Sequence, residues 1–260
     1  MKLKNDFSGR VALVTAAGGP GIGRATVRLL ADHGAHVVVT DLSGNRAAKV
    51  AAEVAAEVAD RPDQRVIGRE LNVIDDAAVD ALVAEVLGEL GSIDVLVNNA
   101  GTSEPAPVWE TSTESWRRVV DVCLTGSFFT MRAVLPGMIS RRTGSVVNIA
   151  STEAWTSRTP GNTAYHAAKA GLLALSRSTA VQVGPHGVRV NCVAPGLTPN
   201  PLLNKVIPEQ YLEQMRSEIP LGEPSSPDDI ADAVLFLASD ASRSVTGETI
   251  AVCGGSAMRP

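Results

Sequence analysis

One group of residues has the types and spacing for acid–base chemistry: Tyr165 lies four residues before Lys169, and Ser151 lies upstream of both. In a helix, this spacing puts the phenol and the ammonium on one face, a turn apart. A free phenol titrates near pH ~10, and a neighbouring cation stabilises its phenolate form. A nearby serine hydroxyl can hold an alcohol or carbonyl oxygen. Because ordinary surface pairs share this spacing, the elements that position these side chains decide between the two interpretations.

Short β-branched runs alternate with longer helical patterns along the 260 residues. Strands are predicted at 11–15, 37–40, 66–67, 95–97, 146–149, 188–193 and 249–252. Helices are predicted at 24–33, 46–58, 77–90, 114–139, 164–183 and 227–238. Strands that are apolar nearly throughout are typical of a parallel sheet covered on both faces. The alternation therefore predicts one α/β domain, 1–260, with a doubly wound parallel sheet of seven strands.

An irregular, proline-rich segment at 197–222 lies between the sixth strand and the last helix. Together with Trp155, its residues Leu202, Leu203 and Met215 suggest an apolar wall for a substrate pocket. Such an insertion is either a mobile substrate lid or a packed surface excursion, and the sequence leaves both interpretations open.

The composition argues against several classes of protein. A net charge of −5 with no basic cluster argues against nucleic-acid binding. The three cysteines and four histidines show no metal-ligand spacing, so we expect no metal site and a reducing compartment. No apolar run approaches about 18 residues, and no signal core follows the charged N-terminus. We therefore expect a soluble, cytoplasmic protein with no membrane partner.

A glycine-rich loop follows the first predicted strand and opens a helix. Glycines there let the backbone approach a pyrophosphate, and the helix start offers unpaired N–H groups and the positive end of its dipole. A glycine cluster alone is weak evidence, but its strand–loop–helix setting predicts a dinucleotide site. The residues assigned to this site are Gly18, Gly19, Gly21, Ile22 and Gly23.

The second predicted strand leads into Asp41, about twenty residues after the glycines. A carboxylate at this position can bind both ribose hydroxyls of NAD and would repel the 2′-phosphate of NADP. Leu42 follows, so no cation stands at the next position, although Arg24 and Arg46 could reach a phosphate from elsewhere. A role as a helix N-cap or turn residue is the alternative for Asp41. The pattern favours NAD over NADP.

Further motifs follow in order along the chain. They are Asn98-Asn99-Ala100-Gly101, Asn148-Ile149-Ala150-Ser151, Tyr165-x-x-x-Lys169, Arg189-Val190-Asn191, Pro195-Gly196 and Val245-Thr246-Gly247. With the glycine loop, they resemble the short-chain dehydrogenase/reductase family over nearly the whole chain. The pattern is most similar to the branch of 3-oxoacyl reductases, hydroxysteroid dehydrogenases and secondary alcohol dehydrogenases. The resemblance implies a single-domain Rossmann fold with helices on both faces of the sheet.

The resemblance also implies a role for each site residue. Tyr165 would be the general acid/base, Ser151 would orient the substrate oxygen, and Lys169 would favour the phenolate and bind the nicotinamide ribose. The implied cofactor contacts are Asn72 and Val73 at the adenine, Asn99, Ala100 and Gly101 beneath the cofactor, and Pro195, Gly196 and Thr198 at the carboxamide. A homo-oligomer, with a tetramer favoured, is implied as well.

The sequence departs from the family pattern at several positions. Cys123 replaces an asparagine that shapes a helix kink and supports a water of the proton relay, and a thiol cannot reproduce the hydrogen bonds of an amide. We therefore expect a weaker relay, although a backbone carbonyl survives the exchange. Asn72 replaces an aspartate, which predicts altered adenine contacts. The glycine loop and the stretch from Ser151 to Tyr165 are each one residue longer than usual.

Three functions fit the sequence. The first is an NAD-dependent oxidoreductase that interconverts a secondary alcohol and a ketone, and Asp41 favours it. The second is an NADPH-dependent reductase of 3-oxoacyl thioesters. The third is a nucleotide-binding regulator or scaffold with little turnover, suggested by Cys123. Glu153 would either bind a polar substrate group or face solvent, and we expect it and Arg158 to face solvent.

Overall fold

The computed structural model of the chain describes residues 6–199 and 209–258. Its strands form one parallel sheet in the order β3-β2-β1-β4-β5-β6-β7. The strands are β1 (Val11–Val14), β2 (His36–Asp41), β3 (Val66–Glu70), β4 (Val95–Asn98), β5 (Gly144–Ile149), β6 (Val188–Pro195) and β7 (Thr249–Val252). The seven predicted strands and the doubly wound sheet are confirmed.

Helices connect successive strands. They are α1 (Ile22–Asp32), α2 (Gly44–Glu57), α3 (Asp76–Leu90), α4 (Thr113–Val120), α5 (Gly126–Arg141), α6 (Thr163–Val183), α7 (Glu209–Ser217) and α8 (Pro227–Ala238). Several begin at side chains that bind the first backbone N–H groups: Ser43, Asp75, Ser112 and Ser226. Gly91 ends α3 in the left-handed conformation, which glycine adopts at little cost.

The helices bury apolar side chains against both faces of the sheet. One core contains residues of α1, α2 and α8, and the other contains residues of α3, α5 and α6. The strand order reverses where β1 pairs with β2 on one side and with β4 on the other. In open α/β sheets, ligands bind beyond the carboxyl ends of the strands at such a reversal. The fold therefore places the glycine loop and the residues after β4 at one edge.

The predicted continuous helix 114–139 differs from the structure. A π-helical turn, Asp121–Thr125, separates α4 from α5. The combined stretch Thr113–Arg141 is long and apolar enough to cross a membrane by length and composition, a test that core helices of soluble proteins also pass. The expectation from the sequence overlooked this stretch because its charged residues interrupt the apolar run. Its inner face packs in the core with Met131, Val134 and Met138.

The predicted lid segment, 197–222, is described only in part, since residues 200–208 lie outside the described residues. Its later part contains α7, which the sequence pattern did not indicate. After α7, the backbone N–H of Leu221 donates to the carbonyl of Gly254 at 3.1 Å. The end of the segment is thus joined to the loop after β7. Whether the segment acts as a lid stays a prediction.

Candidate active site

The glycine loop is held by backbone contacts at the carboxyl end of β1. The Asn99 side-chain amide donates to the carbonyls of Thr15 and Ala16, each at 3.0 Å. Ala16 has a φ of 52°, a conformation that non-glycine residues rarely adopt. A Cβ on Gly23 would lie 2.6 Å from Nδ2 of Asn99, so only glycine fits there. The conformation of the glycine loop is therefore fixed by Asn99, the residue after β4.

The start of α1 has room for an anion. Gly21 precedes the helix and provides no side-chain cap for its first N–H groups. Added Cβ atoms on Gly19 and Gly21 would meet nothing within 4 Å, so open space borders this part of the loop. Free N–H groups and the helix dipole favour a phosphate there. The predicted pyrophosphate residues, including Ile22 as the first residue of α1, thus lie together at one helix start.

Asp41 ends β2 beside this loop and is buried. Its Oδ2 accepts the backbone N–H of Gly18 at 3.1 Å, and its Oδ1 accepts that of Ser43 at 2.9 Å. Arg46 Nη2 also lies 2.5 Å from Oδ1. Leu42 is exposed. The carboxylate is therefore fixed at the strand end, and a cation, Arg46, is paired with it.

Lys169 and Tyr165 lie on the first turns of α6, as the spacing predicts. Lys169 is only 3% exposed, and its Nζ donates to the carbonyl of Ile149 at 2.6 Å. The same Nζ lies 5.6 Å from the centroid of the Tyr165 ring. A buried ammonium needs such partners because burial disfavours an isolated charge. The carboxyl end of β5 and the tyrosine together fix the cation.

Ser151 follows β5 by two residues and begins a 3₁₀ turn, Thr152–Ala154. Its Oγ accepts the backbone N–H of Glu153 at 3.1 Å. The hydroxyl oxygen keeps a further lone pair and its own proton. The carboxyl end of β5, where a backbone carbonyl accepts a hydrogen bond from Lys169, therefore also leads into Ser151.

The implied cofactor contacts lie along the same edge of the sheet. Thr15 Oγ1 accepts the backbone N–H groups of Asn99 and Ala100 at 2.9 and 3.2 Å. A Cβ on Gly101 would lie 3.7 Å from Lys169 Nζ. Pro195 ends β6, Gly196 donates to the carbonyl of Val252, and the Thr198 hydroxyl donates to the carbonyl of Gly196. Asn72 is exposed, and Val73 packs against Gly126 at the helix distortion.

Cys123 occupies the centre of the π-helical turn and is fully buried. Its Sγ accepts the N–H of Thr102 and donates to the carbonyl of the same residue, both at 3.3 Å. The thiol thus makes two weak hydrogen bonds, because one S–H group both donates and accepts, and whether they replace those of an amide stays a prediction. The helix distortion is present with cysteine in this position. Its effect on a proton relay stays a prediction.

Glu153 does not face solvent, contrary to our expectation. The residue is 8% exposed, and its Oε2 lies 2.6 Å from Nε2 of His166. Arg158 is also engaged: it pairs with Glu218, which directly follows α7, and its Nη1 donates to the carbonyl of Ser256 at 2.5 Å. Sequence patterns could not find these contacts because their partners lie on other elements.

A buried chain of polar side chains links β4, β5 and β6 to α5 and α6, which pack in the same core. Thr130 donates to Asn98 at 2.6 Å, Asn98 donates to Asn148 at 2.8 Å, and Asn148 donates to Ser176 at 2.8 Å. The Cys192 thiol donates to Ser176 at 3.0 Å, and burial raises the pKa of this thiol, so it stays protonated. The asparagine at the end of β4 and the one in β5 were visible as motifs, but their joint role was not.

No group of three His, Cys, Asp or Glu side chains within 6–199 and 209–258 could hold a metal ion.

Comparisons with known proteins agree with this geometry. Residues 16–257 match the family model described as enoyl-(acyl carrier protein) reductase. The chain is 39% identical over 249 residues to the 3-oxoacyl-acyl-carrier-protein reductase FabG of Thermotoga maritima, covering 96% of this chain and 98% of that protein. It is 40% identical over 250 residues to the cis-4-hydroxycyclohexanecarboxylate dehydrogenase of Sinomonas cyclohexanicum, covering 96% and 97%.

A solved structure has the same architecture. The gluconate 5-dehydrogenase of Burkholderia cenocepacia, in complex with NADP and tartrate, aligns with a TM-score of 0.90 at 31% identity and covers 97% of this chain and 96% of that one. The chain belongs to the short-chain dehydrogenase/reductase family. It is an oxidoreductase of that family, whose members bind a nicotinamide cofactor. Ser151 lies after β5, and Tyr165 and Lys169 lie on the first turns of α6; their catalytic roles stay a prediction.

Proposed function

We propose that this short-chain dehydrogenase/reductase interconverts a secondary alcohol and a ketone, with NAD as cofactor and Tyr165 as general acid/base. The observation that carries the proposal is the position of Lys169, whose buried ammonium is held between the carbonyl of Ile149 and the Tyr165 ring. A cation fixed there stabilises negative charge on the phenol oxygen. Acid–base work by a phenol at neutral pH needs this support.

The chain's own residues account for proton handling and orientation. In alcohol oxidation, Ser151 would hold the alcohol oxygen by a hydrogen bond, and Tyr165 would take its proton. Lys169 would stabilise the phenolate before this transfer, and the serine would stabilise charge on the substrate oxygen. In ketone reduction, Tyr165 would return the proton. The nicotinamide, when bound, supplies or accepts the hydride.

NAD is the proposed cofactor because Asp41 ends β2 beside the glycine loop. Its fixed carboxylate is suited to two ribose hydroxyls and repels a 2′-phosphate. NADP is the alternative, supported by the NADP in the Burkholderia structure and by Arg46, which lies against Asp41. Binding of a 2′-phosphate would require Arg46 to leave the carboxylate.

Titration with NADH and NADPH, followed by calorimetry, tests this assignment. We expect NADH to bind at least about tenfold more tightly, which is about 1.4 kcal/mol. The Asp41→Ala variant should narrow the preference for NADH over NADPH. Asp60 is an exposed aspartate on the loop after α2, so the Asp60→Ala control should leave that preference unchanged. Tighter binding of NADPH would overturn the assignment and favour the second function.

The proposed substrate is a neutral secondary alcohol or ketone. Reduction of a 3-oxoacyl thioester is the second candidate, favoured by the likeness to FabG of Thermotoga maritima. Initial rates with cyclohexanol, 2-butanol and acetoacetyl-CoA, measured at 340 nm, separate the two. Turnover of the alcohols with NAD supports the first, and exclusive reduction of acetoacetyl-CoA supports the second.

We further propose that the protein is a soluble, cytoplasmic homotetramer with no membrane or nucleic-acid partner. Trp116 on α4, Phe128 on α5 and Val181 on α6 are large apolar side chains that are exposed in the single chain. Exposed apolar side chains on long helices are suited to a symmetric contact between copies. Light scattering during size-exclusion chromatography tests it, and a monomeric mass would contradict it.

A further inference from the structure

A largely buried polar pair, Glu153 and His166, lies beside the catalytic residues and has no part in the mechanism above. Their side chains are 11% and 18% exposed, and Oε2 of Glu153 is 2.6 Å from Nε2 of His166. The two atoms are in close polar contact, but the ring N–H does not make a linear hydrogen bond to this oxygen. The same oxygen accepts the backbone N–H of Thr159 at 3.3 Å.

Each member of the pair is attached closely to one catalytic hydroxyl. The backbone N–H of Glu153 donates to Ser151 Oγ at 3.1 Å. His166 directly follows Tyr165 in the first turn of α6, where its own N–H donates to the carbonyl of Asn162 at 3.0 Å. A shift of Glu153 therefore moves the serine hydroxyl, and a shift of His166 moves the tyrosine.

The chain between the two hydroxyls is irregular, although Arg158, Gly161 and Asn162 contact other parts of the fold. From the end of the 3₁₀ turn at Ala154 to the start of α6 at Thr163, the structure has no regular element. Gly161 in this stretch has a φ of 75°. Catalytic groups must be held to within about 0.5 Å, and irregular loops hold them less well than helices and strands do. The contact between Glu153 and His166 joins the two ends of this stretch and adds to the bond from Lys169 Nζ to the Ile149 carbonyl.

Direct binding of substrate is the competing role for Glu153. Its Oε2 is already engaged by His166 and by the N–H of Thr159. A carboxylate held by both an imidazole and a backbone N–H is a structural contact between segments. The geometry therefore favours positioning over substrate recognition.

We propose that Glu153 and His166 form a positioning pair that fixes the Ser151 hydroxyl relative to the Tyr165 hydroxyl. The proposal rests on the proposed function in one respect, since it takes both hydroxyls to act on one substrate oxygen. The positional tie itself does not depend on the identity of the substrate.

Hydrogen–deuterium exchange of the full-length protein tests the tie without any substrate. In Glu153→Ala, we expect faster exchange both in the peptide that contains Ser151 and in the one that begins α6. The matched control is Glu57→Ala, which breaks the surface pair with Arg28 and should leave both peptides unchanged. Faster exchange confined to the Ser151 peptide would overturn the proposal.

Kinetics with NAD and cyclohexanol test the effect on chemistry. Misplacement of reacting groups lowers kcat, so we expect Glu153→Ala to lose about 10- to 100-fold in kcat with little change in KM. Glu153→Gln keeps an acceptor for Thr159 and is nearly isosteric, so it should recover most of that loss. Because the two residues act as a unit, the Glu153→Ala/His166→Ala double variant should be no slower than the slower single variant.

The opposite patterns would overturn the proposal. A rise in KM with kcat unchanged would assign Glu153 to substrate binding, and additive losses in the double variant would show two independent roles. A wild-type protein that binds NADH but turns over no probe would contradict the proposed function alone. In that case the exchange experiment still decides whether the pair ties the two segments.

Discussion

The two halves of the sheet hold their functional residues by different means. In the nucleotide half, β1 is apolar throughout, and the Thr15 and Thr40 hydroxyls donate to the backbone carbonyls of Val97 and Val14. In the catalytic half, β4, β5 and β6 each contain a buried asparagine: Asn98, Asn148 and Asn191. A cofactor phosphate is recognised by backbone shape, which close packing fixes together with the hydrogen bonds of Asn99 and Asp41 to the loop backbone. Catalytic side chains need fixed neighbours, and buried hydrogen bonds provide them.

The largest effect is expected when Lys169 is replaced, because the catalytic half depends on this one side chain. In Lys169→Met, the carbonyl of Ile149 loses its donor, and Tyr165 loses the nearby cation. We expect kcat/KM for cyclohexanol oxidation to fall by about 10²- to 10⁴-fold, the usual contribution of acid–base catalysis. Initial rates at 340 nm measure the loss.

The exposed Lys49 on α2 provides the matched control. Lys49→Met should change the free energy of any step by about 0.5 kcal/mol or less, because surface substitutions rarely do more. Equal losses of kcat/KM in Lys169→Met and Lys49→Met would show that Lys169 has no special role in catalysis.

A smaller effect is expected from the buried polar chain. In Asn148→Ala, Asn98 loses an acceptor and Ser176 loses a donor. Leaving buried polar groups unpaired should lower the free energy of unfolding by about 2–4 kcal/mol. Thr40→Val in the nucleotide half removes one hydroxyl contact and should cost about 1 kcal/mol or less. Urea unfolding at fixed protein concentration compares the two variants. Equal losses in the free energy of unfolding would remove the distinction between the two halves of the sheet.

The smallest effect concerns close packing in the nucleotide half. In Gly23→Ala, the new Cβ would lie 2.6 Å from Asn99 Nδ2 and 2.9 Å from Ala17 Cα. Overpacking of this kind should cost about 1–3 kcal/mol and weaken NADH binding as the loop shifts. Gly88 of α3 has open space around it, so Gly88→Ala should instead stabilise the protein by about 0.5–1 kcal/mol. Thermal unfolding measures the change in stability, and NADH titration measures the change in affinity. Unchanged NADH affinity in Gly23→Ala would be evidence against backbone shape as the determinant of cofactor binding.

Local patterns in the sequence were sufficient for the sheet and for the placement of Tyr165 and Lys169 on one helix. Apolar β-branched runs predicted the seven strands, and the spacing of Tyr165 and Lys169 predicted one helical face. Both depend only on periodicity within one element. The glycine loop was likewise visible because its residues are adjacent in the chain.

Contacts between distant elements were not accessible from the sequence. In the π-helical turn, Cys123 contacts the distant backbone of Thr102, and the Glu153–His166 pair joins the 3₁₀ turn to α6. An expectation of solvent exposure for Glu153 was reasonable for a charged residue, and only tertiary packing overturns it.

The most direct test of the central claim compares wild type with Tyr165→Phe. NAD reduction would be followed at 340 nm with cyclohexanol and 2-butanol, and NADH affinity would be measured for both proteins. We predict turnover by wild type, a loss of about 10²- to 10⁴-fold in Tyr165→Phe, and similar NADH affinity. Undiminished turnover in Tyr165→Phe would contradict the assignment of this phenol as the general acid/base.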